Sequence, residues 1–354
     1  MSYLKSKTNI IIALAIISFS SCKNRKENPN TENTFDYSMV ILNEGNFGKG
    51  NAEITLYNSA IKTSSKDVFE KINGRPLGDV GQSIYLFNEH FFILLNNSSK
   101  IEIVDKNFKS VQVINNIELP RYMIFKGNKG YVSSWGNGGQ VYVINPFTYK
   151  ILKTISTGQG SEKMLLHNDF LYVANGGGFG YDSTISVINT NSDTYVKSIF
   201  TGDNPKEIVL QDDNHIWVLN FGKYSSDWTE ISGKSLILLN LTSDTKEKII
   251  DVPTNSTELN SLYLKDNFLY FNHSGIYRLS INSNELPSEP FINSTYNSFQ
   301  FNSEKTVLYG FTTDWVQKGN VYLIDIQTGN KIRTVETGVA PNFVIGVSGV
   351  AVFE

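Results

Sequence analysis

Across 354 residues the chain carries 31 Lys and Arg against 34 Asp and Glu, a formal net charge of −3, with 40% hydrophobic residues, 12% aromatic residues and one cysteine. That balance argues against wrapping nucleic acid, which calls for a basic stripe, and a lone cysteine excludes an intrachain disulfide framework. Stability must come from a large apolar core, which a chain of this length can bury.

The first segment, "MSYLKSKTNIIIALAIISFSSC", places Lys5 and Lys7 ahead of an apolar run from Ile10 to Ile17. The run is shorter than the roughly 20 residues a membrane-spanning helix needs, and its basic start predicts an export signal over residues 1–21. Ser20 and Ser21 stand directly before Cys22. This arrangement resembles the lipobox of bacterial lipoproteins, in which the cysteine is acylated after cleavage. Acyl chains at Cys22 would anchor the chain, each buried CH₂ contributing about 0.8 kcal/mol. Residues 22–38, with "KNRKENPNTENT" at 23–34, then form the lipidated cysteine and a flexible tether. Loss of Lys5 and Lys7 with the signal takes the net charge from −3 to −5.

From residue 39 to 354 one unit repeats. Short apolar runs such as "GQSIYLFNEHFFILLNN" (81–97), "PRYMIFKGNKGYVSSW" (120–135), "SEKMLLHNDFLYVAN" (161–175) and "PKEIVLQDDNHIWVLN" (205–220) read as the first two strands of each unit. "LNSLYLKDNFLYFNH" (259–273) and "YNSFQFNSEKTVLYGF" (296–311) share the phase. The anchors Ile84, Ile124, Leu165, Ile208, Leu262, Phe299 and Val344 lie 40, 41, 43, 54, 37 and 45 residues apart. Third strands are expected at 100–105, 140–145, 184–189, 235–240 and 320–325, and fourth strands at 150–157, 195–202 and 331–338. A period near 40 with four short strands per unit predicts an all-β chain folded as a seven-bladed β-propeller.

One unit is split. Residues 39–45, 52–58 and 64–69 read as its second, third and fourth strands, and "PNFVIG" (341–346) supplies its first. The first-numbered blade is thus closed by strands from both termini, which leaves no open sheet edge. "GVAVFE" (349–354) also has second-strand spacing and competes with, or flanks, residues 39–45.

The segments "PKEIVL", "LYVAN", "ISVINT" and "VKSIFTGDNP" resemble the YncE-like seven-bladed propellers. "ILNEGNFG" (41–48), "LGDVGQS" (77–83), "NNSSKIEIVD" (96–105) and "LPRYM" (119–123) resemble the surface cobalamin-binding, BtuG-like propeller lipoproteins. That resemblance implies lipid anchoring at the outer membrane, cell-surface exposure and work beside a TonB-dependent corrinoid transporter.

In a propeller the loops between second and third strands share a face with the connections leading into each first strand. The loops here include "NEGNFGKGN" (43–51), "WGNGG" (135–139), "NGGGFGYDS" (175–183), "NFGKYSSDWTEISGK" (220–234) and "TTDWVQKG" (312–319). The glycine-rich run Gly176–Gly180 lacks a Walker or dinucleotide pattern and leads into a strand, so it reads as a turn device rather than a phosphate cradle. Phe47, Trp135, Phe179, Tyr181, Phe221, Tyr224, Trp228 and Trp315 gather on this rim, with Gln82, Arg121, Tyr122, Glu162, Lys206 and Glu207 in the segments leading in. Flat aromatic surface with a few placed polar groups suits a large, partly planar ligand. Glu44, Glu162 and Glu207 are placed to hydrogen-bond ligand amides, and His273 is the histidine that falls at a rim position.

His90, His167, His215 and His273 show no metal-ligand spacing, and nothing in the sequence calls for a cofactor. The expected function is capture of a ligand, a corrinoid above all, for a partner transporter. A propeller enzyme (a lyase or quinone-dependent dehydrogenase) and a glycan- or peptide-binding surface protein are the alternatives.

Overall fold

The computed structural model describes residues 37–227, 229–253 and 259–347. The expected signal peptide (1–21), residues 22–36 of the expected tether (22–38) and the competing run 349–354 lie outside the described residues.

Seven antiparallel sheets make seven blades. Blade 2 is Gly81–Phe87, His90–Leu95, Lys100–Val104 and Ser110–Asn115, in that order outwards. Blade 3 opens with Pro120–Lys126, blade 4 with Ser161–His167 and blade 5 with Pro205–Asp212, each followed by three more strands in sequence order. Blade 7 runs from Ser298–Phe301 to Lys331–Glu336. Blade 1 takes its innermost strand, Pro341–Gly346, from one end of the chain and Met39–Asn43, Glu53–Asn58 and Thr63–Ser65 from the other. The innermost strands neighbour one another in a closed circle and so surround a central axis.

Local chemistry sets the strand ends. Each third strand of blades 1 to 5 and 7 ends in, or is directly followed by, an Asn or Asp whose side chain accepts from backbone N–H groups two to four residues on. Asn145 takes Phe147 and Thr148, Asn189 takes Asn191 and Ser192, and Asp325 takes Gln327 and Thr328. Asn58, Asp105 and Asn240 do the same. These Asx turns release the chain from the third strand and start the fourth. First and second strands join tightly: Asn88 and Glu89, and likewise Asp266 and Asn267, both adopt positive φ, the type I′ geometry that matches strand twist.

The core lies between blades. Phe92, Leu94, Ile101 and Ile103 of blade 2 pack on Met123, Val132, Tyr142 and Ile144 of blade 3, and equivalent clusters fill the other interfaces. Each fully buried aliphatic or Phe side chain contributes about 1.5–3 kcal/mol.

Two details differ from the sequence expectation. The fourth strand of blade 1 stops at Ser65, and Val68–Asn73 is a short helix rather than the end of a strand over 64–69. Asp67 turns the chain at φ 55, and Val68, Phe69 and Ile72 then meet the core cluster of blades 1 and 2 from one helix face. A continuing strand would have pointed Val68 and Phe69 to opposite faces. Gly74, at φ 65, ends the helix by donating to the Glu70 carbonyl. Blade 6 has three strands, Asn260–Lys265, Phe268–Asn272 and Ile276–Ser280, and in place of a fourth Ile292 exchanges backbone hydrogen bonds with Ile276. The long 54-residue interval of the repeat holds an added hairpin, Lys223–Tyr224 with Glu230–Ser232.

Candidate ligand-binding site

In blades 1 to 6 the register between the innermost strand and its neighbour slips close to the first residue. The slips fall at Asn342, Gln82, Arg121–Tyr122, Glu162–Lys163, Lys206 and Ser261–Leu262. A bulge of this kind places an extra residue and re-aims its side chain. Here the recurring bulge leaves a polar or charged residue at the axial end of each of these strands, and these residues line two linked cavities.

The deeper cavity, about 220 Å³, is lined by Glu44, Gln82, Tyr122, Lys163, Glu207 and Asn342 among others, and reaches Tyr263 and Gln300 further along the strands. The wider vestibule, about 380 Å³, is lined by Arg121, Glu162, Lys206, Phe221 and Trp315. Tyr122, Glu207 and Asn260 belong to both, so the two form one funnel.

Its charges are ordered. Arg121 donates through Nε and Nη2 to the two oxygens of Glu162 at 3.1 and 3.2 Å, and through Nη1 to Gln82. With side chains 16% and 5% exposed, this is a buried pair. Loss of one partner would strand the other charge at a cost of about 3–5 kcal/mol. Burial alone would weaken the Arg121 charge, but Glu162, with Tyr122 and Glu44, together more than restore it. The guanidinium lies 4.1 Å from the Trp135 ring centroid, a cation–π contact that fixes the indole beside the mouth. Lys163 lies 4.1 Å over Tyr122 and Lys206 lies 4.2 Å over Phe221.

Burial reshapes the titration of the funnel. It pushes Glu44 up to about 7, only partly opposed by Arg121 and by the Asn342 side chain. It raises Glu207 as well, with Lys163 pulling the other way. It pushes the Tyr263 phenol up to about 12. Burial lowers Lys206. Lys163 moves upward, because the Glu207 carboxylate and surrounding phenols outweigh its own burial.

Glycines hold the rim together. Gly160 donates to the Gly138 carbonyl, while Gly176 and Gly177 donate to the carbonyls of Gly160 and Gln159. A Cβ on Gly160 would lie 1.9 Å from the Gly178 nitrogen, so these loops interlock only without side chains. The Trp135 ring rests on Gly178 and meets Phe179 edge-on at 5.4 Å. The loops of blades 1 and 7 are tied by Asn46, whose side chain donates to the Trp315 carbonyl.

Glu44, Gln82 and Tyr122 thus come together in the deep cavity, and Arg121, Tyr122, Glu162, Phe221 and Trp315 in the vestibule. Trp135 sits beside them under Arg121, with a buried Nε1 that has no hydrogen-bond partner among the described residues. Phe179, Phe47 and Trp315 project with 84%, 78% and 51% of their surface exposed. Tyr181 donates its hydroxyl to the Tyr224 carbonyl and carries Lys223 4.8 Å over its ring. His273 is buried in blade 6, 5.7 Å from Tyr277, and lines neither cavity. Trp228 lies outside the described residues.

Lys163, Asn260, Tyr263, Gln300 and Asn342 were not anticipated. Lys163 and Asn342 occupy the second place before the anchors Leu165 and Val344, a column that also holds Gln82, Tyr122, Lys206 and Asn260. Aligning the units on their anchors exposes that column. Among the described residues no group of three or more His, Cys, Asp or Glu is arranged to hold a metal ion.

No curated protein matches the chain in sequence. Among solved structures it is similar to a quinoprotein alcohol dehydrogenase-like protein of Bacteroides thetaiotaomicron, at 15% identity over 88% of this chain and 78% of that one, with a TM-score of 0.61. It is also similar to candidate 6-phosphogluconolactonases of Bacteroides uniformis and Bacteroides fragilis. The first is 12% identical over 88% of this chain and 100% of that one, with a TM-score of 0.62. The second is 11% identical over 91% and 100%, also with a TM-score of 0.62. At such identities the likeness speaks for the propeller fold alone. A family model matches residues 37–343, most of the chain, and on that match the protein belongs to the family described as Domain of unknown function (DUF5074).

Proposed function

We propose that this propeller is a lipid-anchored ligand-capture protein of the outer membrane, exposed at the cell surface. Its funnel face would take a large, partly planar molecule, a corrinoid such as cobalamin, and pass it to a TonB-dependent transporter. The observation that carries the reading is the pairing, on one face, of exposed aromatic rings with a funnel of side-chain amides and charges. Phe47, Phe179 and Trp315 offer flat apolar surface to a ring system, while Gln82, Asn260 and Asn342 offer partners to amides at its edge. The lipobox-like Cys22 and the BtuG-like segments near residues 41–48 and 77–83 support the anchor and the partner.

Calorimetry with cobalamin and cobinamide tests the ligand. Binding of at least one is expected, weakened about threefold to tenfold in Phe179→Ala, since an aromatic contact contributes about 0.5–1.5 kcal/mol. No heat with either corrinoid removes this ligand class.

A second reading, a propeller enzyme, is favoured by one observation: Lys163, Glu207 and Tyr122 share the cavity with Glu44, whose carboxyl titrates near 7. It requires turnover of a small substrate, abolished in Glu44→Gln.

A further inference from the structure

The deep cavity poses a problem of its own. Of its cations, Arg121 at the boundary is committed to Glu162. Lys163 lines the cavity, yet no carboxylate among the described residues comes within ion-pair distance of its ammonium; its close contact is the Tyr122 ring. Glu207 acts on it electrostatically from further away and accepts a backbone hydrogen bond from Ser261. Lys163 is only partly buried, so its ammonium faces the cavity with donors open to a guest that enters it.

We infer that this cavity is a subsite for a small anionic group, a carboxylate or a phosphate, bound by the Lys163 ammonium with the hydroxyls of Tyr122 and Tyr263. Size fits the assignment: at about 220 Å³ against about 380 Å³, this cavity is the narrower part of the funnel. That is room for such a group on a short stem. Charge fits as well. Glu162 is neutralised by Arg121, Glu44 is pushed up to about 7 by burial, and burial raises Glu207 as well, so these carboxyls oppose an anion less than freely ionised ones would. Lys163 presents its ammonium to the cavity, and Lys206 stands at the mouth. A cation would meet the ammonium groups of both lysines. Because an anion favours the protonated Glu44 carboxyl, its binding should weaken as pH rises through about 7.

This subsite does not depend on the corrinoid reading, and Phe179→Ala should leave it intact. The test is calorimetry of the full chain with succinate and with inorganic phosphate, at pH about 6 and about 8. Binding of at least one anion is expected, tighter at the lower pH, and which one binds separates carboxylate from phosphate. Lys163→Met, which keeps the length and apolar stem, should lose about tenfold or more in affinity, the value of a charge-assisted hydrogen bond. Glu207→Gln removes the carboxylate that acts on Lys163 and should keep binding. No heat from either anion overturns the inference, as does wild-type affinity in a folded Lys163→Met. Should that variant fail to fold, Glu207→Gln decides: weaker binding than wild type at the higher pH overturns the proposal.

Discussion

Glu44 shows how one residue links the site to stability. It follows the second strand of blade 1, directly after Asn43, and burial pushes its carboxyl up to about 7 from an ordinary value near 4.5. Between those two values the unfolded chain has released the proton while the folded protein still holds it, so stability falls as pH rises across that window. The shift corresponds to about 3 kcal/mol at most, fully expressed above pH about 7. Glutamine reproduces the protonated shape without the ionisation. Glu44→Gln is therefore expected to be more stable than wild type in denaturant at pH about 8, with the difference vanishing towards pH about 4.5. Equal stability at the higher pH would mean that Glu44 ionises without penalty and that the funnel is wetter than its walls imply. Glu53, also raised to about 7 by burial and by Asp67, contributes a slope of the same sign and is unaffected by the change.

At the scale of elements, the rim depends on loops that touch through glycine. Gly160 has φ +67, and any Cβ there would collide with the Gly178 backbone, whereas Gly138 has φ +86 with open space around it. Gly138→Ala should cost about 1–2 kcal/mol, the penalty of a left-handed conformation alone. Gly160→Ala should cost more in the same denaturant titration, and should also weaken ligand binding by shifting the 176–180 loop that carries Phe179. Equal losses in the two variants would show that the loops yield freely. These elements also mark what a reader of the sequence can see. Strands such as Gln140–Asn145 and Thr184–Asn189 were legible to the residue, because alternating apolar side chains end in an Asn that builds its own turn. The axial bulges were not, because a bulge breaks the alternation on which strand reading relies. Lys163 was lost for that reason: beside Met164 and Leu165 it reads as one more outward lysine. The helix at Val68–Asn73 did carry signals, Asp67 before it and Gly74 after it, but six residues are too few for a helical period to outweigh the repeat.

For the whole molecule, the funnel exists only if the ring is closed, and closure rests on one strand. Pro341–Gly346 pairs with Met39–Asn43, and Val347 donates to the Ser38 carbonyl. Side chains bind the same strand to both neighbours. Gln300 of blade 7 exchanges two hydrogen bonds with the backbone of Val344, at 2.9 and 3.0 Å, and Asn342 donates to the Gly81 carbonyl of blade 2 at 2.8 Å. Val344 itself is 2% exposed, packed with Met39, Ile41 and Tyr309 between blades 1 and 7. A carboxylate there would face apolar groups with no cation to pair with. Val344→Asp should therefore destabilise by more than about 3 kcal/mol, the scale of an unpaired buried charge or its forced protonation. Val196→Asp, on the half-exposed outer strand of blade 4, should stay within about 0.5 kcal/mol of wild type. The shape of the transition matters as much as its midpoint. If the ring is one cooperative unit, Val344→Asp shifts a single unfolding transition, and protease sensitivity in all blades rises together. A separate early transition confined to blade 1, with blades 2 to 7 melting as in wild type, would show that six blades hold the funnel without the seventh. The axial site would then tolerate an open ring.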